Sequence, residues 1–388
     1  MKSLSKTGDG IPAERFSFIK IFIFILIFEV VVGGGGRLLD IGAVSPRMLL
    51  FSLSLLLSFL LILIKLKINR NSVIITSIYF FYIAYSSLVG VARMNDINLI
   101  VQDVKPLLYF LLFPFVYYFK EIFFNLIFSA IKIGAPIMGA CYLVAFYLLN
   151  SGLVPFSAIY VINESGEFFF RGESAFVYKG FIYLIIGCFL YLIGDSKLQK
   201  LIGLCLLVPI YLLYTRGFLI SLAFGIFFFY WIRNQSLDRI KLFFAALIMP
   251  MLVMLYISGI ERGEGDSKRI NDLIFLWDSF SDVSTIIVGN GFGSLISGNL
   301  KIEVALLEVL YKSGLVGLAF WMILIFIQLI WYQLIKVKCI DDHAMISIVV
   351  ILYVQSLFNP YINNSIGMLF LMVSFCYFDH RKSQTDDK

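Results

Sequence analysis

Long apolar runs separated by short polar or glycine-rich breaks repeat along the whole chain. Runs near 16–32, 47–64, 73–91, 106–119, 124–149, 178–194, 200–214, 217–232, 241–258, 302–335, 343–358 and 361–378 carry few charges. Most approach the roughly 20 residues an α-helix needs to cross a bilayer core. A bilayer has no water to satisfy exposed peptide groups, so such runs become helices. The pattern predicts an all-α polytopic membrane protein of about 12 transmembrane helices, a single integral membrane domain over residues 1–388. Two breaks are long, 150–177 and 259–301, and the second is expected to form a large outer loop with short amphipathic helices. In SKRINDLIFLWDSF, Ile270, Leu273, Ile274 and Trp277 recur at helical spacing. That predicts a helix lying along the membrane surface, with Arg269 and Asp272 on its polar side.

Composition agrees with this class and leaves no room for a separate soluble domain. Hydrophobic residues make up 60% of the chain, charged residues only 14%, and mean hydropathy is +0.93, whereas soluble domains are about a quarter charged. The run 18–32 ends without a small-residue cleavage site and meets Gly33–Gly36, so it reads as an uncleaved first span followed by a flexible turn. Twelve spans put both termini on one side. Lys65 with Lys67 and Arg70, Lys197 with Lys200, Arg233 with Arg239 and Lys241, Lys336 with Lys338, and Arg381-Lys382 all share that side, and the positive-inside rule makes it cytoplasmic. The 33–46, 92–105, 150–177 and 259–301 segments then lie outside, where ATP and nucleotide-sugars are absent. An enzyme working there must use a substrate that is already activated and already in the membrane. The five cysteines show no CxxC spacing and only two histidines occur, so a disulfide framework, a metal site and a Ser-His-Asp hydrolase are all poorly supported. No nucleic acid is expected as a partner.

Most polar chemistry outside the termini gathers in 261–320, with one further cue at Thr215-Arg216-Gly217. Arg216 falls at or just inside the outer boundary. An arginine at a helix centre costs about 2.5–3.5 kcal/mol, and less near the interface. It reads either as a snorkelling contact to lipid headgroups or as a fixed cation gripping a phosphate bidentately. Arg269 is either a solvated charge or a second such cation. Glu303 and Glu308, read as the front of an apolar helix, are separated by about 140° of rotation and cannot form a paired acid and base. Glu303, nearer the loop, is the better general base, and Glu308 is placed to pair with Lys312 at i+4. The cluster Gly289-Asn290-Gly291-Phe292-Gly293 lacks the strand-turn-helix setting of a nucleotide loop and predicts a tight multi-turn loop instead. Arg93, Asp103, Lys105 and Arg171 lie in predicted outer loops and are placed to shape a site there.

Taken in order, Thr215-Arg216-Gly217, Arg269 followed by Trp277, Val288-Gly289-Asn290-Gly291-Phe292-Gly293, then Glu303, Leu307-Glu308 and Gly314-Leu315-Val316-Gly317 resemble the O-antigen polymerase and O-antigen ligase superfamily over most of the chain. The resemblance implies action on polyprenyl-diphosphate-linked glycans at the outer face of the bacterial inner membrane, with no metal or other cofactor. Arginines facing the large loop would hold the diphosphate. It also implies contact with membrane lipid and a chain-length regulator protein as a partner. Ligases of the superfamily typically carry a histidine eleven residues before the glycine matching Gly314; here that position is Glu303, followed by Val304. This favours a polymerase, with Arg216, Arg269 and Glu303 as catalytic residues and Arg93, Lys105, Arg171, Trp277, Asn290 and Glu308 as substrate-binding residues. Two other classes stay open: a ligase joining glycan to lipid-A core, and a non-enzymatic flippase. A flippase would show charges inside several spans and internal repeats, whereas the charges here gather at one loop.

Overall fold

The computed structural model describes residues 13–37, 45–63, 70–158, 166–171, 175–233 and 263–386. Each predicted apolar run within these residues is helical over most of its length; the run 241–258 lies outside them. Helices α1 (Ala13–Val32), α2 (Pro46–Leu63) and α3 (Arg70–Ala92) cover the first three runs. The fourth begins earlier than predicted, as α4 (Ile97–Leu107), and passes through a 3-10 turn at Leu108–Leu112 into α5 (Phe113–Tyr118). Asp96 caps α4 by accepting from the Asn98 N–H, so part of the predicted 92–105 loop is helix. The long α6 (Lys120–Asn150) leads to a small antiparallel hairpin, β1 (Phe168–Arg171) with β2 (Ala175–Tyr178), inside the break predicted to be loop. Then follow α7 (Phe181–Leu192), α8 (Lys197–Leu212) and α9 (Arg216–Arg233). Helices α10 (Gly263–Ser279) and α11 (Val283–Ile287) occupy the large loop, ahead of α12 (Ala305–Leu334), α13 (Ile340–Gln355) and α14 (Ser365–Asp386). Among the described residues, five helices are long and apolar enough to cross a membrane: Arg70–Ala92, Ile97–Tyr118, Lys120–Asn150, Arg216–Arg233 and Ala305–Leu334.

Two helices form the centre. Every residue from Phe181 to Leu190 in α7 is buried, and so is nearly all of α14 from Ile366 to Phe378. A helix that is apolar on all sides belongs inside a bundle. Peripheral helices instead expose apolar stripes at three- and four-residue spacing: Leu49, Leu53, Leu56 and Leu60 on α2, and Ile323, Phe326, Ile330 and Leu334 on α12. Such stripes suit contact with lipid. Inside the bundle, tyrosine hydroxyls bridge helices by capping stray carbonyls. Pro136 has no N–H for the Lys132 carbonyl, and the Tyr191 hydroxyl supplies the missing bond at 2.7 Å.

Long-range hydrogen bonds sort the loops into two ends. At one, the Gly35 and Arg37 N–H groups donate to the Glu167 carboxylate at 2.6 and 3.1 Å, so the predicted flexible glycine turn is pinned across 130 residues of sequence. The Tyr178 hydroxyl donates to the Val32 carbonyl at the end of α1, and Arg47 donates to Ser365 at the start of α14. Asn95 there donates to the carbonyls of Asn290 and Phe292. At the other end, Tyr117 and Asn71 donate to Asp379, and Arg381 pairs with Asp342. The start of α1 and the finish of α14 therefore share the end opposite the glycine loops.

Candidate active site

The site is built on a backbone junction. Gly289, Gly291 and Gly293 all have positive φ, and their loop docks onto two helices. The Asn290 and Gly291 N–H groups donate to the carbonyls of Tyr311 and Lys312 on α12 at 2.8 Å, while the Phe292 N–H donates to Ser86 on α3 at 3.0 Å. A Cβ on Gly291 would collide with the Gly90 backbone, and a Cβ on Gly314 would collide with the Ile287 carbonyl. Gly314 has φ 60° and ψ −158°, which breaks the helical path of α12 at the level of the loop. The glycines thus serve close backbone approach and a left-handed turn, which side chains would obstruct.

Beneath this junction sits a buried ionic network. The Lys312 ammonium lies 2.8 Å from Asp103 Oδ1 and 3.1 Å from Glu308 Oε1, and it also donates to the Leu300 carbonyl. Asp103 Oδ2 accepts from the Gly293 N–H at 2.8 Å. All three side chains are below 5% exposed, and charges so deep persist only when paired and hydrogen-bonded. One ammonium therefore ties α4, the glycine loop, the segment before α12 and α12 itself into a single unit. Glu308 and Lys312, four residues apart, meet as their spacing predicts.

Above it, α10 lies across the start of α12. Leu276 packs with Ile296, Ile302 and Tyr311 in a small core of its own, with Phe275, Phe280 and Leu307 at its edge. Asp272 is buried, while Ile270, Leu273, Ile274 and Trp277 are exposed. The predicted amphipathic helix is present, with its polar side turned toward the protein and its apolar stripe turned outward. Arg269 projects from α10 to an ion pair between its Nε and Glu303 Oε2. Side-chain exposures of 30% for Arg269 and 39% for Glu303 keep the pair within reach of a substrate. Glu303 is not on the helix as predicted: α12 starts at Ala305, whose N–H donates to the Ser356 carbonyl in the α13–α14 loop. The rotation between Glu303 and Glu308 along a straight helix therefore does not apply. The two carboxylates belong to a loop and to a helix, and each has its own cation.

Nearby, Asp282 caps α11. Hydrogen bonds from the Ser284 hydroxyl and N–H hold its carboxyl below the usual aspartate range. Arg93 donates to the Ser284 hydroxyl at 3.0 Å.

No family model matches the chain. Among curated proteins, an O-antigen polymerase of Shigella flexneri is 32% identical over 378 residues, covering 91% of this chain and 93% of that protein. The chain belongs to the O-antigen polymerase family.

Within this family member the nine sequence-predicted site residues separate into groups. Arg269 and Glu303 are in direct contact. Glu308 lines a pocket that also takes in Asp103, Lys301 and Lys312. Asn290 contributes backbone groups to the glycine junction. Arg216 is half-buried as the first residue of α9, and a Cβ on the next residue, Gly217, would meet Phe358 in the α13–α14 loop, the loop that bonds the start of α12. Four residues stand further out. Lys105 is exposed on α4, Arg93 is exposed at α11, and Trp277 is 81% exposed on the outward stripe. Arg171 ends β1, opposite Ala175, and its side chain lies outside the described residues. Lys301, Lys312, Asn363, Tyr82 and Phe292 line the pocket without having been singled out as site residues. Lys312 alone had a local signal, its i+4 spacing from Glu308.

Proposed function

We propose that this membrane protein polymerises O-antigen repeat units, transferring a growing glycan from polyprenyl diphosphate to another lipid-linked unit at the periplasmic face. Kinship with the Shigella flexneri O-antigen polymerase along nine-tenths of both chains carries the reading. Glu303 at the position where related ligases typically carry histidine adds to it. In the transfer step, the acceptor hydroxyl gives its proton to Glu303 and its oxygen bonds to the anomeric carbon of the donor. The bond from that carbon to the diphosphate breaks, and polyprenyl diphosphate leaves with the electron pair. Negative charge grows on the leaving group, so fixed cations lower the barrier by preorganised electrostatics. Arg269 and Arg216 supply that charge. The Arg269–Glu303 contact supports an exchange: when the diphosphate takes the guanidinium, the carboxylate is released to receive the proton. The step uses no metal.

The same reading places about twelve spans in the bacterial inner membrane with both termini cytoplasmic. The described segments 33–37, 95–96, 167–171, 175–179 and 288–304 and the start of α4, which meet at one end of the bundle, then face the periplasm. Loops 150–177 and 259–301 are the two large periplasmic segments, and a chain-length regulator is the expected protein partner. A deletion strain tests the reading. Its lipopolysaccharide should carry a single capped repeat unit, and the plasmid-borne gene should restore the ladder. Loss of all attached glycan would indicate a ligase instead, and an unchanged ladder would contradict both.

A further inference from the structure

The pocket at the Lys312 network holds polar groups that the transfer step leaves unused. Glu308 is 3% exposed, and its two oxygens differ in surroundings. Oε1 accepts from Lys312, whereas Oε2 has no hydrogen-bond partner among the described residues. Asn363 Oδ1, from the α13–α14 loop, is likewise covered and without a partner among them. Both residues line the same pocket, together with Tyr82, Phe292 and Lys301.

A buried carboxylate oxygen lacking a donor is costly, so groups of this kind are normally met by a partner. Here two unmet acceptors line one small pocket together with Tyr82 and Phe292, with room for a single hydroxyl-sized group and not for a whole sugar ring. The matching group is a single O–H donor inserted from outside, such as a hydroxyl projecting from a sugar ring. A hydroxyl also satisfies either orientation of the Asn363 amide, because it both donates and accepts. Lys312, fixed by Asp103, holds Glu308 so that Oε2 is presented and not swung toward the ammonium. Lys301 and Glu308 flank Glu303 in sequence, which puts the pocket next to the proposed transfer site.

We infer that Glu308 Oε2 and Asn363 Oδ1 form a subsite that binds one hydroxyl of a repeat-unit sugar and thereby selects which glycan is polymerised. This rests on the polymerase reading for its substrate class, and its test is a binding measurement that does not need turnover. Full-length protein in nanodiscs is titrated with the strain's repeat unit on polyprenyl diphosphate, and with monodeoxy analogues that each lack one hydroxyl. For the wild type, one analogue should bind about tenfold or more weakly than the parent, the value of a hydrogen bond to a charged group. In Asn363→Leu and Glu308→Gln, that difference should shrink to within about twofold because the parent itself binds less well. Asn363→Leu leaves the Lys312 network intact and carries the test if Glu308→Gln does not fold. Equal binding of every analogue by the wild type, or discrimination unchanged in Asn363→Leu, overturns the subsite. Discrimination without any polymer from the same preparation would retain the subsite and overturn the polymerase reading.

Discussion

Arg269→Ala is expected to lower polymer output by about 100- to 1000-fold at normal protein level, the loss when one preorganised donor is removed from a site of growing negative charge. Two features lead us to expect the largest single loss at this residue. Its guanidinium stands over the start of α12, carried by a helix that is anchored through Leu276, and it reaches Glu303 directly. Its partial exposure leaves it open to a diphosphate entering from the membrane surface. Arg269→Lys should recover only part of the loss, because a point charge cannot grip two phosphate oxygens in the way a planar fork does. Glu303→Gln, which keeps shape and removes charge, should also abolish the ladder, though for want of a base. The check is lipopolysaccharide gel analysis in the deletion strain, with membrane levels of each variant confirmed. A full-length ladder from Arg269→Ala would remove it from the mechanism, and one from Glu303→Gln would remove the base.

Lys312→Met should destabilise the protein by about 3–5 kcal/mol, because it strands two buried carboxylates that share one cation. The loss is larger than that of a surface ion pair, worth about 0–1 kcal/mol, since Asp103 and Glu308 cannot turn to water from their positions. The expected reading is a marked fall in thermal stability in detergent and little protein in the membrane. Adding Asp103→Asn and Glu308→Gln to Lys312→Met should restore much of the stability, since no unpaired buried charge then remains. Lys312→Met with wild-type stability would show that the network does not hold the junction together.

The apolar runs were legible because twenty-odd greasy residues have one stable form in a membrane. Local charge was what misled. Asp103 and Lys105 made 92–105 read as loop, yet Asp96 starts a helix there and Lys312, 209 residues away, pairs with Asp103. Glu303 followed the opposite course. It stands beside a run of good helix formers, and a tertiary bond from the Ala305 N–H to Ser356 sets the helix start two residues later. The β-hairpin within 150–177 depends on packing of Phe168 and Tyr178 rings, which pair across the strands, and short apolar segments do not announce strand over helix. Trp277 lies on the apolar stripe its spacing predicts, and the stripe faces outward because Leu276 and Asp272 are the residues buried against the protein. At the site, Arg269 and Glu303 stood out as charges in a hydrophobic chain. Asn363 did not, since it is one polar residue at the start of the apolar run 361–378, and its meaning comes from a pocket that also takes in Glu308, 55 residues earlier in the chain.

The most direct test gives purified protein a synthetic repeat unit on polyprenyl diphosphate, with no other enzyme and no nucleotide-sugar. A ladder of lipid-linked products rising in steps of one repeat unit, with polyprenyl diphosphate released in equal number to the bonds formed, is the predicted result. Folded protein that binds the unit yet leaves it unextended would contradict the account.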